Sequence, residues 1–410
     1  ARYDVLGVVG NGASYLVQTE AGVDEADLFI AVTDSDELNL LCCTIARQDS
    51  DCAAIARVRD PDYSREVAYL QKSLGLAMII NPELEAAREA ARVLALPKAL
   101  EINSFAHGLA ELIKIKISEE SSLAGAQIAS IGKKMNNSLI CAVERENEVY
   151  IPSGSFVLEK GDVVSFVVPR RKARASLSAA GFKTGKVRDT MIIGGGNAAY
   201  YLGRQLLEMG VAVKIIERDK KRCERLTVLL PDAIIINGDG TNEELLREEG
   251  IEYVESFVPL TGMDEENILL TLHARQVSKA KVITKINRIG FKTVISSLDL
   301  GSVIYPKYIT SEAIIAYVRA KKNSMGSNIE TLYHMYDSRV EAIEFRVGAG
   351  SPGTDTPLMK LNLKKNLLIA FVNRNGRIII PSGQDEIRTG DTVMIVTTNT
   401  GFQDIQDILG

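Results

Sequence analysis

Met191-Ile-Ile-Gly194-Gly195-Gly196-Asn197-Ala198-Ala199-Tyr-Tyr-Leu-Gly-Arg-Gln-Leu-Leu207, followed by Val211-Ala-Val-Lys-Ile-Ile-Glu217, is the stretch from which the rest of this chain can be read. It spells a short apolar strand, a glycine turn, a helix, and a second strand that ends in an acid. Gly194 permits a tight turn off the strand, Gly196 lets the backbone approach a pyrophosphate, and Ala199 stands where a third glycine would allow helix and strand to pack closely. Backbone N–H groups at the start of the following helix then face phosphates, helped by the helix dipole. Glu217 lies 23 positions beyond Gly194, close to the roughly 20 expected for an acid that hydrogen-bonds ribose hydroxyls. Strand, glycines, helix and acid are in register for a dinucleotide site.

Outward from this opening, apolar runs at 191–193, 213–216, 233–236, 256–260, 281–286 and 302–305 alternate with helical patterns. Such alternation predicts a doubly wound parallel sheet with helices on both faces, and ligands in such sheets sit at the carboxyl ends of the strands. Gly238-Asp239-Gly240 follows the third strand and Thr261-Gly262-Met263-Asp264 the fourth, which places both beside the glycine turn. Taken alone, Gly-Asp-Gly also reads as a plain turn, and Asp264 as a cap for the helix that carries Asn267.

The chain is also a repeat. Shifted by about 228 positions, Gly10-Asn11-Gly12 falls on Gly238-Asp239-Gly240, Phe29 on Phe257, and Thr33, Asp36, Glu37 and Asn39 on Thr261, Asp264, Glu265 and Asn267. Downstream, at a shift of 229, Ile151-Pro152-Ser153-Gly154 meets Ile380-Pro381-Ser382-Gly383 and Gly161-Asp162 meets Gly390-Asp391. Each half is therefore a Rossmann-like α/β domain followed by a smaller α+β domain. The expected divisions are 1–108, 109–180, 190–330 and 338–410. By the same shift the glycine turn of the second half corresponds to positions before Ala1, so the first half is expected to lack its opening strand, turn and helix.

Composition narrows the function. Of 410 residues, 46% are hydrophobic and 25% charged, a mix suited to a globular protein of several domains. No apolar run approaches the roughly 18 residues of a membrane span. With a net charge of −5 and no long basic block, nucleic acid is not an expected partner. Five cysteines without a C-x-x-C pair indicate neither a disulfide framework nor a zinc site, and fit a reducing cytoplasm. Asp355, Asp385 and Asp391 are scattered acids for which solvation is the simpler reading than a bound cation. Arg170-Arg171-Lys172, Arg174 and Lys183, in the 169–189 connection, read as a solvated face, with an acidic partner or lipid headgroups as the lesser alternative. Hydride transfer commonly uses a histidine, lysine or tyrosine near the nicotinamide. His107, His273 and His334 fall away from the expected cleft and no Tyr-x-x-x-Lys accompanies it, so no catalytic residue and no metal ligand is assigned.

Together, Gly194-x-Gly196-Asn197-x-Ala199, Glu217-Arg218-Asp219, Gly238-Asp239-Gly240-Thr241 and Thr261-x-x-Asp264-Glu265-x-Asn267, doubled and followed by the Pro-Ser-Gly domain, resemble the TrkA family. These are the peripheral regulatory subunits of Trk-type potassium uptake systems, built from tandem domains that regulate potassium conductance (RCK domains). The likeness covers essentially the whole chain and rests on the tandem arrangement rather than on one motif. It implies a non-enzymatic homo-oligomer, a dimer or a tetrameric ring, on the cytoplasmic face of the plasma membrane beneath an integral-membrane pore subunit. NAD(H), or ATP and ADP, would bias the ring's shape. By matching position, Gly194, Gly196, Asn197 and Ala198 would cradle phosphates, and Glu217 would hold the adenosine ribose. Arg218 would stack on adenine or pair with a phosphate, and Asp239, with Gly240 in the same turn, would sit near the adenine. Thr261 would line the phosphate or nicotinamide end. The first half departs from the pattern, having no glycine turn and Asn11 in place of the aspartate. The resemblance further implies association through helices near 83–96 and 311–320, both of which read as amphipathic, with packing inside their own domain as the alternative. An NAD-dependent oxidoreductase and a sensor for another cation transporter are the alternative readings.

Overall fold

The computed structural model describes residues 5–119, 121–135, 137–182, 184–288, 290, 294–295, 298–323, 328–336 and 338–410. Ala1 and Lys183, invoked above, lie outside them, as does the side chain of Ala320. Along the chain come α1 (Tyr15–Glu20), β1 (Leu28–Ala31), α2 (Asp36–Asp49), β2 (Ala53–Arg57), α3 (Pro61–Ser64), α4 (Val67–Ser73), β3 (Met78–Ile80) and α5 (Pro82–Ala95). Next are β4 (Ala99–Phe105), β5 (Ala110–Lys116), α6 (Ile128–Lys134), β6 (Leu139–Arg145), β7 (Glu148–Tyr150), β8 (Val163–Pro169) and α7 (Ala173–Ala179). The second half opens with β9 (Asp189–Ile193), α8 (Asn197–Glu208), β10 (Ala212–Glu217), α9 (Lys220–Leu229), β11 (Ile234–Asn237) and α10 (Glu243–Glu248). It continues with β12 (Ser256–Pro259), α11 (Asp264–Val277), β13 (Lys281–Lys285), β14 (Ser302–Ile304) and α12 (Pro306–Asn323). It closes with β15 (Ile329–Met335), β16 (Val340–Arg346), β17 (Leu367–Arg374), β18 (Arg377–Ile379) and β19 (Thr392–Thr397).

Two compact units result: Ala1–Ala91 with Arg188–Ser311, and Arg92–Val187 with Glu312–Gly410. In the first, the second half forms a six-stranded parallel sheet in the order β11-β10-β9-β12-β13-β14. The strand order reverses at β9, and the crevice between the ends of β9 and β12 is where such sheets bind ligands. Met191, Ile192, Phe257 and Val258 are fully buried between the helix layers, as befits strands covered on both faces. Among the described residues the first half contributes a parallel sheet of β1-β2-β3, matching β12-β13-β14 of its twin. Helix α8 packs on the first half through Tyr201, whose hydroxyl donates to Arg59 O at 2.9 Å and lies 2.6 Å from Ser64 Oγ.

The second unit holds two antiparallel sheets of identical topology, β4-β5-β8-β6-β7 and β15-β16-β19-β17-β18. Each has its own core, centred on Phe166 and on Phe345, and the two share a third cluster that includes Phe105, Leu112, Val167, Ala342, Phe371 and Met394. β4 pairs with β5, and β15 with β16, as antiparallel hairpins. The small sheets thus begin at Ala99 and Ile329, upstream of the divisions at 108 and 338 drawn from the repeat. The cause is hairpin pairing: each first strand finds its hydrogen-bond partner in the strand that follows, a contact that sequence similarity between the halves does not report. Asp391, read above as a scattered surface acid, is buried, and its carboxylate receives Arg374 at 2.7 and 2.9 Å. Asp162 in the other small domain is held by Arg145 in the same way, at 2.8 Å. Among the described residues, no group of three or more His, Cys, Asp or Glu is placed to hold a metal.

Candidate nucleotide site

The carboxyl ends of β9, β10, β11 and β12 surround a cavity of about 720 Å³. Gly194, Gly196, Asn197, Ala198, Glu217, Arg218, Asp239, Gly240 and Thr261 all line it. Each glycine is required by something different. Gly194 has φ +94°, and a Cβ there would lie 3.2 Å from Leu260 O and Thr261 N, so the turn admits little else. At Gly195 a Cβ would strike Leu226 at 2.6 Å and Glu217 at 3.0 Å. At Gly196, by contrast, a Cβ would meet nothing within 4 Å: the space it would fill is the cavity itself. Gly196 is also the N-cap of α8, without a side-chain cap, so the first N–H groups of α8 are left without intrahelical acceptors.

Glu217 is 6% exposed, and its carboxylate accepts the N–H of Gly195 at 2.6 Å and of Asp219 at 2.7 Å. The acid therefore shapes the glycine turn, with acceptor capacity remaining on each oxygen. Asp239 is exposed and closes an Asx turn by accepting Thr241 N at 2.9 Å and Thr241 Oγ1 at 2.8 Å, which holds its carboxyl below the ordinary carboxylate range. Asn11 makes the same turn in the first half, to Ala13 N at 3.0 Å, so the turn needs an acceptor but not a charge. The flanking glycines are not interchangeable turn residues: a Cβ at Gly238 would meet Leu245 at 2.5 Å, and at Gly240 Ile193 at 2.3 Å. Arg218 is exposed at the rim. The side chain of Asn197 donates to Arg59 O at 3.2 Å, across to the first half, rather than into the cavity.

Thr261 is held from below. Asn267 Oδ1 accepts Thr261 N and Oγ1, both at 2.9 Å, while its Nδ2 donates to Thr261 O at 3.3 Å and Lys285 O at 3.0 Å. Asn39 does the same for Thr33 and Arg57 in the first half, at 2.6 to 3.1 Å. Asp264 is not a cap, since Met263 occupies the N-cap position of α11. Its buried carboxylate instead accepts the N–H of Asn287 and of Arg288, each at 2.8 Å, and Asp36 receives Arg59 and Asp60 in the same manner at 2.7 and 2.8 Å. The repeated Thr-x-x-Asp-x-x-Asn pattern is thus a staple that joins adjacent strand ends beneath the ligand crevice.

The sequence reading missed the opposite wall. Arg59, Asp60, Glu83 and residues 34–37 of the first half, with Lys285 of the second, also line the cavity. Burial pushes the Lys285 ammonium below its ordinary range and the Glu83 carboxyl above its own, and Glu83 Oε2 is buried without a hydrogen-bond partner. The one available signal was the repeat itself, which sets Arg57 on Lys285 and so marks a basic side chain at the ends of β2 and β13. None of the three histidines lines the cavity.

A Rossmann-like half and a small antiparallel half, twice over, define a tandem TrkA-N and TrkA-C protein: the TrkA-N domain model matches residues 1–82 and 190–306, and the TrkA-C domain model residues 112–177 and 342–410. The Trk system potassium uptake protein TrkA homolog 1 of Methanosarcina mazei is 31% identical over 98% of this chain and 90% of its own length. The Trk system potassium uptake protein TrkA of Haemophilus influenzae is 30% identical over 96% of the chain and 86% of its own. The chain belongs to the TrkA family. Among solved structures, the GsuK RCK domain superposes with a TM-score of 0.60 at 17% identity, over 94% of this chain and 81% of that one. The GsuK channel bound to NAD gives 0.59 at 17%, over 95% and 68%. Both show a shared RCK fold.

Proposed function

We propose that this chain is a cytoplasmic regulatory subunit of a potassium uptake system and that NAD(H) or ATP/ADP, bound in the cavity at Gly194 to Ala198, sets its conformation. The family supports the potassium transport role, its members being named as potassium uptake proteins. The observation that carries the nucleotide is the open space at Gly196, where a side chain would stand in the cavity beside unpaired α8 N–H groups. Gly196 and the α8 amides hold phosphate, Glu217 takes the ribose hydroxyls, and Arg218 and Asp239 flank the adenine. Thr261 and its loop border the phosphate or nicotinamide end. Among the described residues no helix is long and apolar enough to cross a membrane. The chain acts on the pore by contact with an integral-membrane subunit and assembles with further copies of itself, through the helices near 83–96 and 311–320.

A ligand shifts a conformational equilibrium only by the difference between its affinities for the two states, typically about 1 to 3 kcal/mol per site. Several sites in a ring add such modest amounts into a decisive shift. Calorimetric titration with NADH, NAD, NADPH, ATP and ADP, run beside an assay of NADH oxidation, tests the proposal. Stoichiometric binding without turnover is expected. Turnover would instead favour an oxidoreductase, and ring dimensions and conductance left unchanged by NADH and by ATP, each at saturation, would refute the switch. Co-purification with a transporter other than a Trk-type pore would reassign the partner.

A further inference from the structure

The two small domains meet through the apolar cluster of Phe105, Leu112, Val167, Ala342, Phe371 and Met394, and around it each domain lays one turn on the sheet of the other. Ala106 directly follows β4, and Tyr336 directly follows β15. Both have left-handed backbones, φ +50° and +49°. Lys114 pairs with Ser165 across β5 and β8, and Glu344 pairs with Met394 across β16 and β19, so these two side chains occupy the same place in twin sheets.

The residues at these twin places are opposite in charge, and so are their contacts. Glu344 Oε1 accepts the N–H of Ala106 at 2.8 Å. At the twin position the Lys114 ammonium lies 4.2 Å from the centre of the Tyr336 ring, whose hydroxyl is 2.7 Å from Ser165 Oγ. Arg339, in the second domain's turn, donates to Glu144 and to Asn147 O of the first domain. The twin residues of that pair, Leu109 and Asn373, carry no charge.

We infer that the two small domains of a chain are built to pair with each other and to refuse their own kind in a second copy. Pairing like with like would set the Ala106 N–H against the Lys114 ammonium, donor against donor. It would also set the Tyr336 ring face against the Glu344 carboxylate, the reverse of a cation–π contact. Arg339 would face Asn373 and Glu144 would face Leu109, each losing its partner. Penalties against the wrong partner, added to contacts with the right one, are how such selectivity arises. In an assembly of several copies this keeps each chain's small domains together and leaves other surfaces to join the copies.

A short bis-maleimide applied to the full chain tests this, with the parent chain and its five buried cysteines as the control. Glu144→Cys with Arg339→Cys marks unlike pairing and should yield an intrachain product. Leu109→Cys with Glu144→Cys marks like pairing and should yield no interchain dimer above the control. Exchanging the charges, Lys114→Glu with Glu344→Lys, supplies Ala106 with an acceptor and Tyr336 with a cation from its own kind. The interchain dimer of the second cysteine pair should then rise several-fold. A dimer from that pair equally abundant before and after the exchange, or a mainly interchain product from the first pair, would overturn the inference. Should the exchanged chain fail to fold by circular dichroism, the two cysteine pairs in the unexchanged chain still decide.

Discussion

A methyl group added at Gly196 would meet no atom within 4 Å, whereas one at Gly240 would lie 2.3 Å from Ile193. The two glycines therefore answer different questions. Gly196→Val should leave the melting temperature close to that of the parent while abolishing nucleotide binding in calorimetry. Gly240→Ala should cost about 1–3 kcal/mol through overpacking, read by denaturant unfolding. Glu217→Ala should weaken every adenosine nucleotide, and it should also loosen the glycine turn, since the carboxylate accepts the Gly195 N–H. Glu217 disfavours a 2′-phosphate, so NADPH is expected to bind more weakly than NADH, and neighbouring Arg218 makes that gap narrower than an acid alone would. Glu83 contributes to the pH dependence, as do Glu111 and Glu344, whose carboxyls burial also raises. The Glu83 carboxyl is raised above 4.5 by burial, so the folded chain keeps a proton that the unfolded chain has already lost. Stability from this group is present in acid and declines as pH rises from about 4.5 through the folded value. Glu83→Gln should flatten that decline in unfolding curves measured across the window.

At the scale of elements, β-branched runs and helix caps made most of this fold legible. Ser35 caps α2 by accepting Leu38 N at 3.1 Å, and Asp219 caps α9 by accepting Arg222 N at 2.8 Å. The six strands of the second sheet were read from apolar runs within a residue or two of their ends. β15 escaped because Ile329–Met335 is only partly buried along most of its length and its alternation is weak. The repeated Thr, Asp and Asn were visible as a pattern but not as a purpose, because a side chain that bonds the end of a neighbouring strand looks in sequence like a cap. Asn267→Ala should therefore destabilise by about 3 kcal/mol, for it strips several bonds and leaves buried backbone groups unpaired. The same change at Asn39, which makes the same bonds to Thr33 and Arg57 in the first half, should cost a similar amount.

For the whole molecule, a ligand held only by the first unit should stabilise that unit alone. At a hundred times its Kd, it adds about 2.7 kcal/mol, and hydrogen exchange should slow at β9 to β12 while β16 and β19 keep their rates. Unchanged exchange at β9 to β12 would mean that the ligand is not held in this cavity. The sequence was enough to reveal the parallel sheet, the glycine turn with its acid, and the doubling of the chain, because periodicity and turn residues are written between near neighbours and a repeat shows as matching residues at one fixed shift. Three things waited for the tertiary structure: the wall that Arg59, Asp60 and Glu83 place across the cavity, the burial of Asp391 beneath Arg374, and the opposed charges of Lys114 and Glu344 at twin positions. Each depends on residues far apart in the chain that are brought together by packing, and neither charge nor spacing along the chain records which distant surface a side chain will face.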